Sequence, residues 1–285
     1  MKNILLLTDF SEASINAIEY AGRLFEGQYT TFYVLNTFVP IVRFNAVTLD
    51  HVAGDHKDVG EAFEEHATNK VQSIIDTLVH KLQCQKHLYV AVSSFSTLTA
   101  GIHKLLDAHE MDCIVMGTTG ATGLSEIFIG SQTMHVIKEA AIPIIGVPAS
   151  YEYKRPTDIV FVTDYKTGIK QLGLSLLDHI CKQHTSRLIF LNAYQGTPLN
   201  MEQLKHEKEL DTYFKHHALI MQTSGSMEVP EAIANFHVNH RIDLLVLVHN
   251  KHNFFENLLF APVVQKVVYH ATMPFLILPP PIYKN

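Results

Sequence analysis

Cys113-Ile114-Val115-Met116, followed by Gly117-Thr118-Thr119-Gly120-Ala121-Thr122-Gly123-Leu124-Ser125-Glu126-Ile127-Phe128-Ile129-Gly130-Ser131-Gln132-Thr133, is the stretch whose pattern specifies the architecture. The first four residues form a short apolar run with β-branched side chains at Ile114 and Val115, which predicts a buried strand. A loop holding Gly117, Gly120 and Gly123 comes next. The small-residue step Gly130-Ser131-Gln132-Thr133 then leads into Met134–Ala141, which has helical spacing and stops before Pro143. Glycine permits close backbone approach, and a helix N-terminus supplies free N–H donors and a favourable dipole. Strand, glycine loop and helix start in this order suit an anion, with a nucleotide phosphate as the natural guest. The loop is not a Walker loop, since no Gly-Lys-Ser/Thr follows, and it is not G-x-G-x-x-G.

Outward from this stretch, apolar runs and helical patterns alternate. Ile4–Leu7 predicts a first strand ending at Thr8-Asp9, and Ser11 is a good N-cap for a helix reaching about Phe25, with Gly27 ending it. Thr31–Phe38, rich in β-branched and aromatic residues, predicts a second strand. Val39 to about Gly60 reads as irregular, and Glu61 to about Leu82 as a strongly patterned helix. Leu88–Val92, Thr97–His109 and Ile142–Val147 complete the unit as strand, helix and fifth strand. Such alternation implies βαβ crossovers and a parallel sheet, with a ligand site beyond the carboxyl ends of the strands where strand order reverses. Asp9 and Gly117 converge there if the first and fourth strands are neighbours.

The second half of the chain copies the first. Asn3–Asp9 matches Asp158–Asp164, Val34–Phe38 matches Phe190–Tyr194, Met111–Met116 matches Ile242–Leu247, and the Pro143 segment matches that of Pro274. Four segments in one order indicate a tandem duplication. Asp9 to Pro143 spans 134 positions and Asp164 to Pro274 only 110, with the deficit expected between the second and third strands. The loops differ more. Where the first half has Gly117, Gly120 and Gly130-Ser131, the second has Val248-His249-Asn250-Lys251-His252 and Ala261-Pro262. Pro262 also lacks an N–H. The second half should keep the fold but not hold phosphates in the same way.

Composition agrees with two folded α/β units of about 140 residues each. Of 285 residues, 47% are hydrophobic and 18% charged, ample for two cores. A formal charge of −6 with no basic block argues against nucleic-acid binding. Cys84, Cys113 and Cys181 are odd in number and read as reduced, buried thiols. The N-terminal apolar run is interrupted by Asp9 and Glu12, unlike a signal peptide, and no run reaches the roughly 20 residues that cross a bilayer. A cytoplasmic protein with no membrane association is the expectation.

The spacing Gly117-x2-Gly120-x9-Gly130-Ser131, together with Leu7-Thr8-Asp9-Phe10-Ser11 and the internal repeat, resembles the universal stress protein family across essentially the whole chain. Leu7 stands where proline is common in that family. The resemblance implies two tandem open parallel-sheet domains, Rossmann-like and of the adenine nucleotide alpha-hydrolase-like kind, pairing within the chain as a pseudo-dimer. Residues 1–150 would be the domain with the intact motif and 151–285 the domain with the degenerate one. It carries over a nucleoside contact to Thr8-Asp9 and an adenine-edge backbone contact to Thr37, following the second strand. The ribose and phosphate positions fall on Met116, Gly117, Gly120, Gly130, Ser131 and Gln132. ATP, or AMP or ADP, with or without Mg²⁺, is the implied ligand, alongside an unidentified protein partner, with a homo-oligomer left open.

One departure stands out. Ala121–Ile129 contains no basic residue and Glu126 adds a negative charge, so phosphate binding would rest on backbone N–H groups and the Ser131 and Thr133 hydroxyls. The expected role is that of a stress-response regulatory or protective module, with the 40–60 connection ordering on binding. A nucleotide-independent interaction scaffold and a slow ATPase are the alternatives. No catalytic residue is assigned, since no P-loop lysine, Mg²⁺ ligand set or Ser/His/Asp arrangement can be argued from spacing. Histidine is abundant at 18, yet His249/His252, His237/His240 and His216-His217 lack the third and fourth ligands of a zinc site, so no metal is assigned.

Overall fold

The computed structural model describes residues 1–38, 56–118, 130–169, 173–193, 198–224, 229–248 and 273–279. In chain order the first half holds β1 (Lys2–Leu7), α1 (Glu12–Leu24), β2 (Thr30–Phe38), α2 (His56–Leu82), β3 (His87–Phe95), α3 (Leu98–Ala108), β4 (Cys113–Gly117), α4 (Ser131–Glu139) and β5 (Ile144–Val147). The second holds β6 (Asp158–Val162), α5 (Ser175–His184), β7 (Arg187–Ala193), α6 (Met201–Phe214), β8 (Ala218–Ser224), α7 (Val229–Asn239), β9 (Leu244–Val248) and β10 (Phe275–Leu278).

The ten strands of the described residues form one sheet, ordered β3-β2-β1-β4-β5-β10-β9-β6-β7-β8. Read inward from either edge, the order is the same five-strand sequence, so the chain is an α/β fold in two like halves. Every pairing is parallel except that of β5 with β10, which is antiparallel, with Leu276 opposite Ile145. A turn of about 180° in the plane of the sheet relates the halves. β1 lies between β2 and β4, as the convergence of Asp9 and Gly117 requires.

Helices cover both faces, which is why the inner strands are continuously apolar rather than alternating. Ile4 and Leu6 point into one core with Ala17, Phe32 and Val71, while Leu5 and Leu7 point into the other with Ile102, Val136 and Ile137. Each core continues into the second half, through Phe161 and Phe190 on one face and Val160 and Ile189 on the other.

The duplication extends to individual hydrogen bonds. Thr8 N donates to Leu35 O at 2.9 Å and Thr163 N to Leu191 O at 3.1 Å. Asn36 and Asn192, both buried, donate to the Thr8 and Thr163 carbonyls at 2.8 and 2.9 Å. Asp112 and Asp243 accept from the Asn3 and Asp158 amides at 2.8 and 3.0 Å, fixing the start of the first strand of each half. Asp243 is the more deeply held, at 1% exposure, and also accepts from Thr157 N, Thr157 Oγ1 and Arg241 Nε.

The structure adjusts several boundaries. α1 is N-capped by Ser11, whose side chain accepts from Ser14 N, and it runs to Leu24 with Phe25 as its C-cap, as expected, two residues before Gly27. α2 begins at His56, five residues before the expected Glu61, and β3 continues three residues past Val92 to Phe95. The shortening of the second half does fall between its second and third strands: residues 194–217 join β7 to β8, where residues 39–86 join β2 to β3. Cys113 and Cys181 are buried, and burial pushes both thiols up, Cys181 to about 12. Cys84 departs from the expectation, being half-exposed with its Sγ donating to Glu26 O at 3.6 Å.

Candidate functional site

β1 stops at Leu7 while β2 runs on to Phe38, so the sheet has a step at the point where its strand order reverses. Thr8 begins the turn. Its hydroxyl accepts from Phe10 N at 3.0 Å and pairs with Ser14 Oγ at 2.9 Å, while its carbonyl accepts from Asn36. These bonds hold Phe10 at a φ of 66°, a left-handed conformation that costs a non-glycine residue about 1 kcal/mol or more. Tyr165 repeats it at 56° with Thr163 as its acceptor. The reversal presents Asp9 at the surface, where its Oδ1 accepts from Ser11 N at 3.0 Å and from Ser11 Oγ.

Around this turn lies a cleft of about 970 Å³, ample for a nucleotide-sized molecule. Leu7, Thr8 and Asp9 form one wall, Thr37 and Phe38 another, with Ser96–Thr99 at the start of α3. Met116, Gly117 and α4 with its N-cap complete it, through Gly130, Ser131, Gln132, Thr133, His135 and Glu139. Eight of the nine residues singled out from the sequence therefore border one space: Thr8, Asp9, Thr37, Met116, Gly117, Gly130, Ser131 and Gln132. Gly120 lies outside the described residues, as do residues 40–55 of the connection expected to order.

The individual roles come out differently from their spacing. Thr37 is not beyond the second strand but inside β2, opposite Ser94 in β3. Leu35 turns its carbonyl toward β1, and backbone groups of residues two apart on a strand point the same way. Thr37 thus directs its N–H and C=O over the end of β1, into the cleft.

Gly117 is a packing glycine: a Cβ there would lie 2.8 Å from both the carbonyl carbon and oxygen of Ala13. Its absence of a side chain seats the first turn of α1. Thr133, 3% exposed, donates its hydroxyl to Gly117 O at 3.2 Å, so it is committed inward and is no phosphate donor. Gly130 has an ordinary backbone (φ −58°, ψ 150°), donates its N–H to Thr118 O at 2.7 Å, and gives α4 no side-chain cap. Among the described residues no side-chain oxygen caps the first turn of α4, where Ser131 and Gln132 border the cleft.

No lysine or arginine is among the described residues lining the cleft, where Asp9 and Glu139 are the acids and His135 stands 3.4 Å from Glu139. Phe38, Ser96–Thr99, His135 and Glu139 were not anticipated. The hydroxyl run Ser96-Thr97-Thr99 had a local sign in its helix-capping chemistry, since Thr97 caps α3. His135 and Glu139 showed none beyond the i, i+4 spacing on a helix that starts in a glycine loop.

The second half is built differently at the matching place. Asp164 pairs with Lys166, whose N–H donates to Oδ1 at 3.0 Å and whose Nζ lies 3.4 Å from Oδ2. α6 closes onto this turn, with Gln203 donating to Asp164 O at 2.7 Å and His206 Nδ1 hydrogen-bonded to Tyr165 O at 2.9 Å. α5 starts at Ser175, well past Asp164, whereas α1 starts three residues after Asp9. Of the histidine pairs, His249/His252 lies outside the described residues, and His217 is hydrogen-bonded to Asp178 at 2.8 Å. Among the described residues no group of three or more His, Cys, Asp or Glu could hold a metal ion, and no helix is long and apolar enough to cross a membrane.

Comparison with known proteins places the chain. A universal stress protein of Methanocaldococcus jannaschii is 28% identical over 152 residues, covering 51% of this chain and 81% of that protein. The crystal structure of a universal stress protein from Archaeoglobus fulgidus superposes with a TM-score of 0.64 at 13% identity, covering 97% of this chain and 98% of the other. A putative universal stress protein from Pseudomonas aeruginosa gives 0.55 at 11% identity, covering 98% and 94%. These two likenesses, spanning both halves, establish the fold. The model of the universal stress protein family matches residues 1–148, more than half of the chain, and the protein belongs to that family.

Proposed function

We propose that the first half, residues 1–150, is a domain that binds an adenine nucleotide in the cleft at the end of β1 and β4. Residues 151–285 form a second domain with a degenerate motif that serves as its built-in pairing partner. The observation that carries this reading is the uncapped N-terminus of α4 facing the same space as the Thr37 backbone and Asp9. Amide donors at one end and a strand edge at the other match a phosphate and a base. Thr8 and Gly117 support the site indirectly, by holding the turn and α1 in place. The protein would act in the cytoplasm as a ligand-dependent regulatory module, since a ligand shifts a protein between states only through unequal affinities for them.

Mass spectrometry of small molecules released from freshly purified protein tests this, with Gly130→Asp as the control. Aspartate is a better N-cap than glycine by a few tenths of a kcal/mol, so the variant should fold. Its carboxylate would occupy the α4 amides and repel a phosphate. Near-stoichiometric AMP, ADP or ATP from the wild type alone supports the proposal. No released nucleotide, followed by no calorimetric binding, would leave the interaction-scaffold reading, which the packing roles of Thr8 and Gly117 favour.

A further inference from the structure

Ser131, His135 and Glu139 recur every four residues along α4 and border the cleft with Gln132 and the buried Thr133, while Met134, Val136 and Ile137 are buried in the core. His135 is the second rung of this polar stripe. It stands one turn along the helix from the Ser131 amide, on the side that borders the cleft. It is the one basic side chain among the described residues lining the cleft.

From this placement, and resting on the nucleotide reading above, we infer that His135 is the specificity-determining residue for phosphate. It selects a phosphorylated ligand over the free nucleoside, and Glu139 opposes that selection. The groups it faces are few. On its own helix, Glu139 lies 3.4 Å from its Nε2, and across the cleft Asp9 is the described carboxylate. The hydroxyls of Ser96, Thr97 and Thr99 complete the described polar lining from α3. Among the described residues, two carboxylates and two first-turn amides make a poor host for a phosphate, and His135 supplies the basic side chain that offsets the carboxylates. The cleft is therefore suited to a nucleoside monophosphate over the nucleoside.

Calorimetric titration of the full chain with AMP and with adenosine tests the inference. His135→Gln should lower the AMP-to-adenosine affinity ratio by about fivefold, the size of one half-exposed charge-assisted contact. His135→Lys should keep the ratio high, and Glu139→Gln should raise it. Thermal melts of each variant without ligand establish that the changes are not losses of fold. Wild-type binding of both ligands with a ratio unchanged by these substitutions overturns the role of His135 and leaves the nucleotide site standing. Failure of the wild type to bind either ligand overturns both.

Discussion

Gly117→Ala separates a glycine kept for packing from one kept for a ligand. The added methyl would sit 2.8 Å from the Ala13 carbonyl carbon and oxygen and 3.1 Å from Ser14 N, all backbone atoms of the first turn of α1. No rotamer change relieves such a contact, so α1 or the end of β4 must move. Overpacking of this kind costs about 1–3 kcal/mol. For a chain of this size each kcal/mol lowers Tm by about 2–4 °C, giving an expected fall of about 2–12 °C. Because Ser11 caps α1 and also holds Asp9, movement of α1 should weaken ligand binding as a secondary effect. Scanning calorimetry on protein stripped of small molecules reads the first effect, and titration reads the second. Gly130→Ala is the comparison, since its backbone is one that alanine adopts and the expected loss is below about 1 kcal/mol. A Gly117→Ala protein with the wild-type Tm and no ligand affinity would refute the packing argument and return Gly117 to the ligand.

Other predictions concern the join and the buried charges. A Cβ at Gly146 would meet the Phe275 ring at 2.2 Å across the β5–β10 pair, so Gly146→Ala should lower the urea midpoint and Gly146→Ala/Phe275→Leu should recover most of the loss in a double-mutant cycle. Asp243→Ala leaves two backbone amides and Arg241 without an acceptor and should cost about 3 kcal/mol or more in denaturant unfolding. Asp112→Ala, at a carboxylate 28% exposed, should cost clearly less by the same measurement. Burial, chiefly, lowers His184 below its ordinary 6.5, against the hydrogen bond from its Nε2 to Leu24 O at 2.8 Å. The folded state then binds fewer protons than the unfolded one, so this contribution is whole above pH 6.5 and is lost as pH falls through the depressed value. Urea midpoints at pH 7.5 and 5.5 should show the decline, and His184→Gln should reduce it.

The strands were legible because burial on both faces makes them continuous apolar runs, as in Ile4–Leu7 and Cys113–Met116, and the duplication made each half a check on the other. The antiparallel junction was not. Ile144–Val147 and Phe275–Leu278 are apolar enough to pair with anything, and their choice of each other depends on Gly146 leaving room for a ring that lies more than a hundred residues away. The start of α2 was missed because His56–Gly60 has no apolar stripe and contains a glycine. In the cleft, residue types and spacing found the neighbourhood, since a glycine loop between a strand and a helix has few uses. They could not tell what each glycine or hydroxyl touches. Gly117 faces Ala13 and Thr133 faces Gly117, relations that exist only once α1 is laid beside β4.

The β5–β10 pairing has a consequence for how such a molecule can change. When two identical chains associate, every substitution appears twice, and a loss in one site is a loss in both. Here the partners are covalently joined, so each meets the other at an effective concentration fixed by the connecting segment and not by the amount of protein present. Dilution cannot part them, and neither half is bound to resemble the other. That freedom allows Lys166 to stand where Ser11 does, and α6 to lie across a turn whose counterpart borders an open cleft: one half can forfeit a site while still supplying the surface that the other needs.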